Sequence, residues 1–224
     1  MPDQSTLPFY KAYVINVSEF KIAENEIRRI INKTVTVHIQ TKLYALLYST
    51  YSEAAFMKMI LTPYGFEQDY VNQILAQGSI QEKWYKCLDL AFSKFNKNKK
   101  GSEIPNKKLE LKKIINEYII DPSIIRNKIA HGQISVALNS KNTSLHLDLT
   151  DKIQNIDVVY ISRLFYINEK LTSIIEDLIE SPDKAHYDYY YNKFQGLENY
   201  IEKSKHWSIS TKMSTNSMSK KIVR

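Results

Sequence analysis

The amino-acid sequence predicts an all-α protein. The chain has 224 residues but only five glycines and six prolines, and so few turn-forming residues disfavour a many-stranded β fold. Apolar residues recur every three or four positions through most of the chain, which is the period of an amphipathic helix. Hydrophobic residues make up 43% and charged residues 25%, a balance typical of a globular domain with a packed core.

The apolar stripes place the helices, and prolines and glycines mark several of their ends. Pro63 and Gly65 end the second predicted helix, and Pro122 takes the first position of the helix that follows a turn at 121–123. Residues 1–17 have no clear period and fit either an extended arm or a short strand. We predict helices at about 19–32, 36–62, 66–78, 79–95, 109–121, 122–132, 153–180 and 184–204.

Two stretches depart from the helical period. Residues 96–108 are rich in lysine and asparagine, which predicts a mobile basic loop. Residues 134–149 alternate apolar and polar residues in two runs around a polar tetrad, which predicts a small β-hairpin after the motif helix described below. We therefore expect a helical domain over residues 1–204 and a basic, disordered tail over residues 205–224, which are rich in Ser, Thr and Lys.

The formal net charge of +7 is unevenly distributed. Residues 94–113 hold eight lysines against two glutamates, and residues 205–224 hold five basic residues and no acid, so the remainder is mildly acidic. Such segments suit a polyanion such as nucleic acid. Solvated loops and a disordered tail explain them equally well.

The composition argues against several kinds of site. Cys87 is the sole cysteine and lies on an apolar stripe, so we expect it in the core, with no disulfide and no cysteine-bound zinc. No two histidines have the i, i+4 spacing of metal ligands and no glycine-rich phosphate loop occurs, so we expect neither a metal nor a cofactor. Without a signal sequence or an apolar span of membrane length, we expect a cytoplasmic protein with no membrane partner.

Reactive side chains are concentrated between Arg126 and His131. Asn127 and Lys128 lie between them, and Gly132 is placed to end the helix. Histidine transfers protons near neutral pH, arginine holds a phosphate with two hydrogen bonds, and an amide can orient either group. This set suffices to cleave RNA by attack of a 2′-OH on its adjacent phosphate, which gives a 2′,3′-cyclic phosphate.

A second candidate, Glu53, could take part in the site or could be purely structural. Glu53 is the one acid in the uncharged segment 47–53, and it needs a partner if it faces the core. Asn168 interrupts the apolar stripe of its predicted helix. Arg126 could simply pair with Glu53 or Glu117, and a histidine near a helix C-terminus also favours the helix dipole.

The spacing of the motif adds a geometric constraint. Arg126 and His131 are five residues apart, which separates them by about 140° around an ideal helix. One copy therefore does not direct both side chains at one point unless the helix ends between them. A two-fold dimer could bring two such helices together and line one cleft with two arginines and two histidines.

The segment Arg126-Asn127-Lys128-Ile129-Ala130-His131-Gly132 resembles the signature of HEPN domains, in which an arginine, often followed by asparagine, precedes a histidine by a few residues. The helical setting over residues 19–180 is also similar to that family. The resemblance implies a HEPN-like bundle and a metal-independent endoribonuclease that acts as a homodimer with a composite active site. HEPN proteins occur in bacterial toxin–antitoxin and phage-defence systems, so it also implies an effector with an antitoxin or regulatory protein as a candidate partner.

The resemblance also implies roles for individual residues. Arg126 is expected to bind the scissile phosphate, His131 to transfer protons and Asn127 to orient them, while Glu53 supports Arg126. Attraction of RNA is expected from three lysines, Lys128, Lys99 and Lys100. The alternative is a catalytically inactive HEPN-type module that binds RNA, a nucleotide or a partner protein.

Overall fold

The computed structural model describes residues 7–31, 37–93, 103–181 and 190–212. This part of the chain is mostly helical and contains no strand longer than an isolated bridge, which confirms the all-α prediction. A π-helical segment, Asn116–Ile120, joins two of the helices. The α-helices are α1 Leu7–Ile31, α2 Val37–Ile60, α3 Gln68–Leu75, α4 Ile80–Ser93, α5 Glu103–Ile115, α6 Asp121–Ala130, α7 Leu147–Asn155, α8 Val158–Glu180 and α9 Tyr190–Ser204.

Helix α2 is the central element, since it packs against α1, α6 and α8. Side-chain contacts fix its register with α8. Asn168 donates to Ser52 at 2.8 Å, and Lys58 pairs with Glu176 at 2.7 Å. Residue numbers increase together along both helices, so α2 and α8 run parallel.

Helix α1 starts at Leu7, so residues 7–17 are helical although their sequence fitted an arm or a strand. Pro8 falls in the first turn, where its missing N–H would have no partner in any case. The Tyr44 hydroxyl of α2 donates to Glu24 of α1 at 2.8 Å. Partly buried apolar residues on one stripe of α1 pack against the core, namely Tyr10, Val17, Phe20 and Ile27.

Aromatic rings fill the interface between α2 and α8. Phe165 lies with its ring centroid 4.8 to 5.4 Å from those of three α2 tyrosines, Tyr44, Tyr48 and Tyr51. Each such pair adds about 0.5–1.5 kcal/mol beyond the area it buries. Cys87 is fully buried and burial raises the pKa of its thiol, so its predicted place in the core is confirmed.

Helices α5 and α6 form one continuous rod through the π segment, so the turn predicted around Pro122 is wrong. Pro122 is buried in this rod and has no N–H to offer the Tyr118 carbonyl four residues earlier. The π segment accommodates the interruption, because the Asp121 N–H donates to Asn116, five residues back. The Tyr48 hydroxyl of α2 donates to the Tyr118 carbonyl at 2.7 Å, which ties the rod to the central helix.

The β-hairpin predicted at 134–149 is also wrong. Only one antiparallel bridge forms, between Leu138 and Leu145. The polar residues between them close a compact loop, in which the Asn139 side chain bonds to Thr143 and Ser144. This segment is therefore a loop and not a pair of strands.

Helix α7 begins inside the expected second strand because helical spacing buries more apolar surface there. Leu149 and Ile153, four residues apart, are both buried, whereas Leu147 is 71% exposed. The His146 Nδ1 accepts from the Leu149 N–H at 3.3 Å and caps the helix. The segment therefore has apolar residues at both strand spacing and helical spacing. The helix forms because it buries Leu149 and Ile153 together.

Other predicted boundaries shift. The helix predicted at 153–180 is divided, because the Asp157 carboxylate caps α8 by accepting from the Tyr160 N–H at 2.7 Å. Helix α5 begins at Glu103, so the last part of the predicted basic loop is helical. The rest of that loop, and the first residues of the last predicted helix, lie outside the described residues.

Of the predicted tail, residues 205–212 are described and residues 213–224 are not. Trp207 lies against Tyr200 with ring centroids 5.7 Å apart, and the Lys212 ammonium lies 3.3 Å from the Trp207 ring centroid. Among the helices described, none has the length and apolar character needed to cross a membrane.

Replacing Tyr48 by phenylalanine tests the tie between α2 and the rod. The ring remains but the hydroxyl that serves the Tyr118 carbonyl is lost, so we expect the free energy of unfolding to fall by about 1–2 kcal/mol. Tyr51→Phe is the matched control, because Tyr51 is equally buried and its hydroxyl bonds to no described residue. Urea denaturation followed by circular dichroism measures both, and equal stability of the two variants would contradict the role of this bond.

Candidate functional site

A cleft of about 210 Å³ opens between α2, the π segment and α6. We call it the Arg126 cleft. Six side chains of serine, asparagine, glutamate and arginine converge on it, which is the arrangement expected of a small-ligand site. They are Ser49, Ser52 and Glu53 from α2, and Ser123, Arg126 and Asn127 from α6. The remaining wall is formed by Tyr48, Ile80 and Ile119.

Arg126 forms an ion pair with Glu53 across the cleft, through its Nη2 and the Glu53 Oε1. The side chains are 31% and 57% exposed, so water screens the pair and its contribution to stability is at most about 1 kcal/mol. Its main effect is to orient the guanidinium. The Arg126 Nε is buried and bonds to no described residue, an uncommon state for a buried donor.

A buried amide lies beneath the cleft. Asn168 of α8 has no exposed surface, and its Nδ2 donates to Ser52 Oγ at 2.8 Å. Its Oδ1 has no hydrogen-bond partner among the described residues. The sequence identified Asn168 as a polar interruption but gave no partner for it.

The serines of the cleft were not among the predicted site residues. Ser52 and Glu53 follow Ser49 by three and by four residues, so they flank Ser49 on one side of α2, and all three line the cleft. The signal was present in the uncharged segment 47–53. Its hydroxyl groups, spaced three apart and followed by an acid, mark a polar face on a helix that is otherwise apolar.

His131 lies at the C-terminal cap of α6 and is exposed. Gly132, with φ of 81°, ends the helix as predicted. The Gly132 N–H donates to Ile129 at 3.0 Å and the Gln133 N–H donates to Lys128 at 2.9 Å, the two bonds of a Schellman motif. The His131 side chain does not line the Arg126 cleft and bonds to no described residue.

Lys128 holds the loop that follows the motif. Its Nζ donates to the Leu138 carbonyl at 2.7 Å, and it does not line the Arg126 cleft. The Gln133 Oε1 accepts from the Leu138 N–H at 2.8 Å. Lys128 and Gln133 therefore both hydrogen-bond to the backbone of the same loop residue, Leu138. The other two lysines predicted to bind RNA, Lys99 and Lys100, lie outside the described residues.

The described structure thus brings three predicted site residues together, Glu53, Arg126 and Asn127, and leaves His131 apart. Ile124, Asn127 and His131, at i, i+3 and i+7, form an exposed stripe on α6. Asn127 belongs to both the stripe and the cleft. One copy of the chain therefore presents a small polar cleft with the histidine on an adjoining surface.

In comparisons with known proteins, no family model, no curated protein and no solved structure matched the chain. Within the described part of the chain, no group of three or more His, Cys, Asp or Glu side chains is arranged to hold a metal ion. Function must therefore be argued from the residues of the Arg126 cleft and from the motif.

Replacing Gly132 by alanine tests the cap that positions His131. A Cβ at this position has open space, so the cost is the left-handed backbone alone, and we expect the free energy of unfolding to fall by about 1 kcal/mol. Gly196→Ala is the matched control, since Gly196 lies within α9 with open space and alanine favours a helix there by about 1 kcal/mol. We expect the urea midpoint to fall in Gly132→Ala and to rise in Gly196→Ala. An unchanged midpoint in Gly132→Ala would contradict the role of the cap.

Proposed function

We propose that this protein is a metal-independent endoribonuclease of HEPN type that cleaves RNA by 2′-OH transesterification. The observation that carries the proposal is the Arg126 cleft. A guanidinium and a carboxamide from the helix whose sequence resembles the HEPN signature converge there with two serine hydroxyls from α2. Each of these groups can donate a hydrogen bond to a phosphate oxygen.

Arg126 would bind the scissile phosphate. Its Nε donor has no partner among the described residues, and a phosphate oxygen would supply one. Glu53 holds the guanidinium by the Nη2 and would keep it in place while the phosphate enters. Asn127 lines the same cleft and would orient either the phosphate or the histidine.

In the proposed reaction the 2′-OH attacks the adjacent phosphorus and gives up its proton to a histidine. The bond from phosphorus to the 5′-oxygen breaks, and the leaving oxygen takes a proton from the imidazolium formed in the first step. The products are a 2′,3′-cyclic phosphate and a 5′-hydroxyl. His131 would perform the proton transfers, and Arg126 would stabilise the charge that builds on the phosphate oxygens.

We infer that each active site is built from two copies of the chain. His131 is exposed and lies outside the lining of the cleft, so one copy does not direct it at a phosphate bound to its own Arg126. In a two-fold homodimer the exposed stripe of Ile124, Asn127 and His131 would face its symmetry mate. The histidine of each copy would then approach the cleft of the other.

The second candidate function is that of a catalytically inactive HEPN-type module that binds RNA, a nucleotide or a partner protein. The ion pair favours it, because Arg126 already has a carboxylate partner in Glu53. The cap position of His131 favours it as well, since a histidine there stabilises a helix without doing chemistry.

The proposal also includes the cellular location and biological role of the protein. An endoribonuclease of this type would act in the cytoplasm as a toxin or phage-defence effector, held in check by an antitoxin or regulatory protein. Positive charge would draw RNA toward the site from a distance. The residues proposed for this attraction are Lys128, Lys99 and Lys100.

Cleavage of an end-labelled RNA in the presence of EDTA tests the proposal. We expect the wild type to release a 2′,3′-cyclic phosphate, and we expect Arg126→Ala and His131→Ala each to lose about a hundredfold in rate or more. Arg28→Ala and His206→Ala are the matched controls, because both residues are exposed and distant in sequence from the motif.

Undiminished cleavage in both motif variants would refute the assignment. RNA binding without cleavage, with the candidate partner protein both present and absent, would instead identify the inactive module. Loss of activity in the control variants as well would point to contamination by another nuclease.

A further inference from the structure

A second cavity adjoins the Arg126 cleft. It has a volume of about 350 Å³ and shares two lining residues with the cleft, Glu53 and Ile80. The rest of its lining is apolar with one exception, and consists of Phe56, Met57, Leu75 and Lys83. We call it the Lys83 cavity. It lies between α2, α3 and the start of α4.

The size and walls of this cavity suit one planar ring system. Its volume is near the lower limit of ligand pockets, which are about 300–1,000 Å³. The Phe56 ring is buried and packs against Trp84 with centroids 4.8 Å apart, so that wall is fixed. Apolar walls of this kind contact the faces of a nucleobase, as single-stranded RNA recognition requires.

Two charged groups border the cavity and offer opposite hydrogen-bonding character. The Glu53 Oε1 accepts from Arg126, while the Oε2 has no hydrogen bond to a described residue and remains an acceptor. The Lys83 ammonium, a donor, has no ion-pair partner among the described residues. An acceptor and a donor therefore both line a largely apolar cavity.

Guanine complements this pair better than uracil does. Its Watson–Crick edge has two adjacent N–H donors, at N1 and N2, beside the O6 acceptor. A carboxylate accepts from the two donors, and an ammonium donates to O6. Uracil has one N–H flanked by two carbonyl oxygens, which would face the carboxylate unfavourably.

We propose that the Lys83 cavity is a guanine-binding subsite next to the phosphate site. The inference rests on the proposed function, because a phosphate held by Arg126 is what brings the neighbouring base across the shared wall of Glu53 and Ile80. Glu53 then has two roles, orienting Arg126 and accepting from the base. The substrate is single-stranded RNA with an unpaired guanosine beside the cleaved bond.

Binding of 2′-O-methyl oligonucleotides tests the subsite without cleavage, because the methyl group blocks the nucleophile. Fluorescence anisotropy compares an oligouridine carrying one central guanosine with the all-uridine oligomer. We expect the wild type to bind the guanosine oligomer about tenfold more tightly. Lys83→Met removes the donor to O6 and Leu75→Trp fills the cavity from a position that is 38% exposed, so both should reduce the ratio to near one.

Lys86→Met is the matched control, since Lys86 lies on the same helix outside the cavity lining, and it should keep the full ratio. Circular dichroism confirms that each variant is folded. Equal affinity for both oligomers in the wild type, or a ratio unchanged by Lys83→Met and Leu75→Trp, would overturn the subsite. A failure of the proposed function would give a different result. The wild type would then prefer the guanosine oligomer but would not cleave the matching unmodified RNA.

Discussion

The candidate site depends on the alignment of two elements. One is α2, and the other is the rod formed by α5, the π segment and α6. Pro122 interrupts the backbone bonding of this rod, and the hydroxyl of Tyr48 bonds to the carbonyl of Tyr118 at that point. The π turn adds one residue, which rotates the following side chains by about 100° relative to an uninterrupted helix. This rotation brings Arg126 to face Glu53. Proline, π turn and tyrosine hydroxyl therefore act together to build the Arg126 cleft.

The Arg126 cleft and the Lys83 cavity lie side by side and differ in character. The groups of the cleft suit a phosphate, while the adjoining Lys83 cavity suits a base, and the carboxylate of Glu53 borders both. The ion pair with Arg126 is too exposed to contribute much to stability, which favours a positioning role. The exposed position of His131 leaves the Arg126 cleft of one copy without the histidine proposed for proton transfer. The proposed homodimer follows from that separation.

Much of this arrangement could be predicted from the sequence, because the period of apolar residues reports burial directly. It located α2, α4, α8 and the motif helix, and the angle between Arg126 and His131 follows from helix geometry alone. The β-hairpin was wrong because Leu149 and Ile153 form a helical pair that a period of two conceals. The π turn was not predicted, since Pro122 was placed at the start of a new helix and not within a continuous one. The contact of Ser52 with Asn168 could not be predicted, since the two residues are far apart in the sequence.

Mixing two inactive variants tests the composite site most directly. Arg126→Ala retains its histidine and His131→Ala retains its arginine, so a heterodimer of the two has one intact pair contributed by both copies. With random pairing after co-expression, half of the dimers are mixed and each has one of two sites, so we predict about a quarter of the wild-type rate of RNA cleavage. If purified heterodimers of the two variants did not cleave RNA under conditions in which the wild type is active, this result would contradict the composite site.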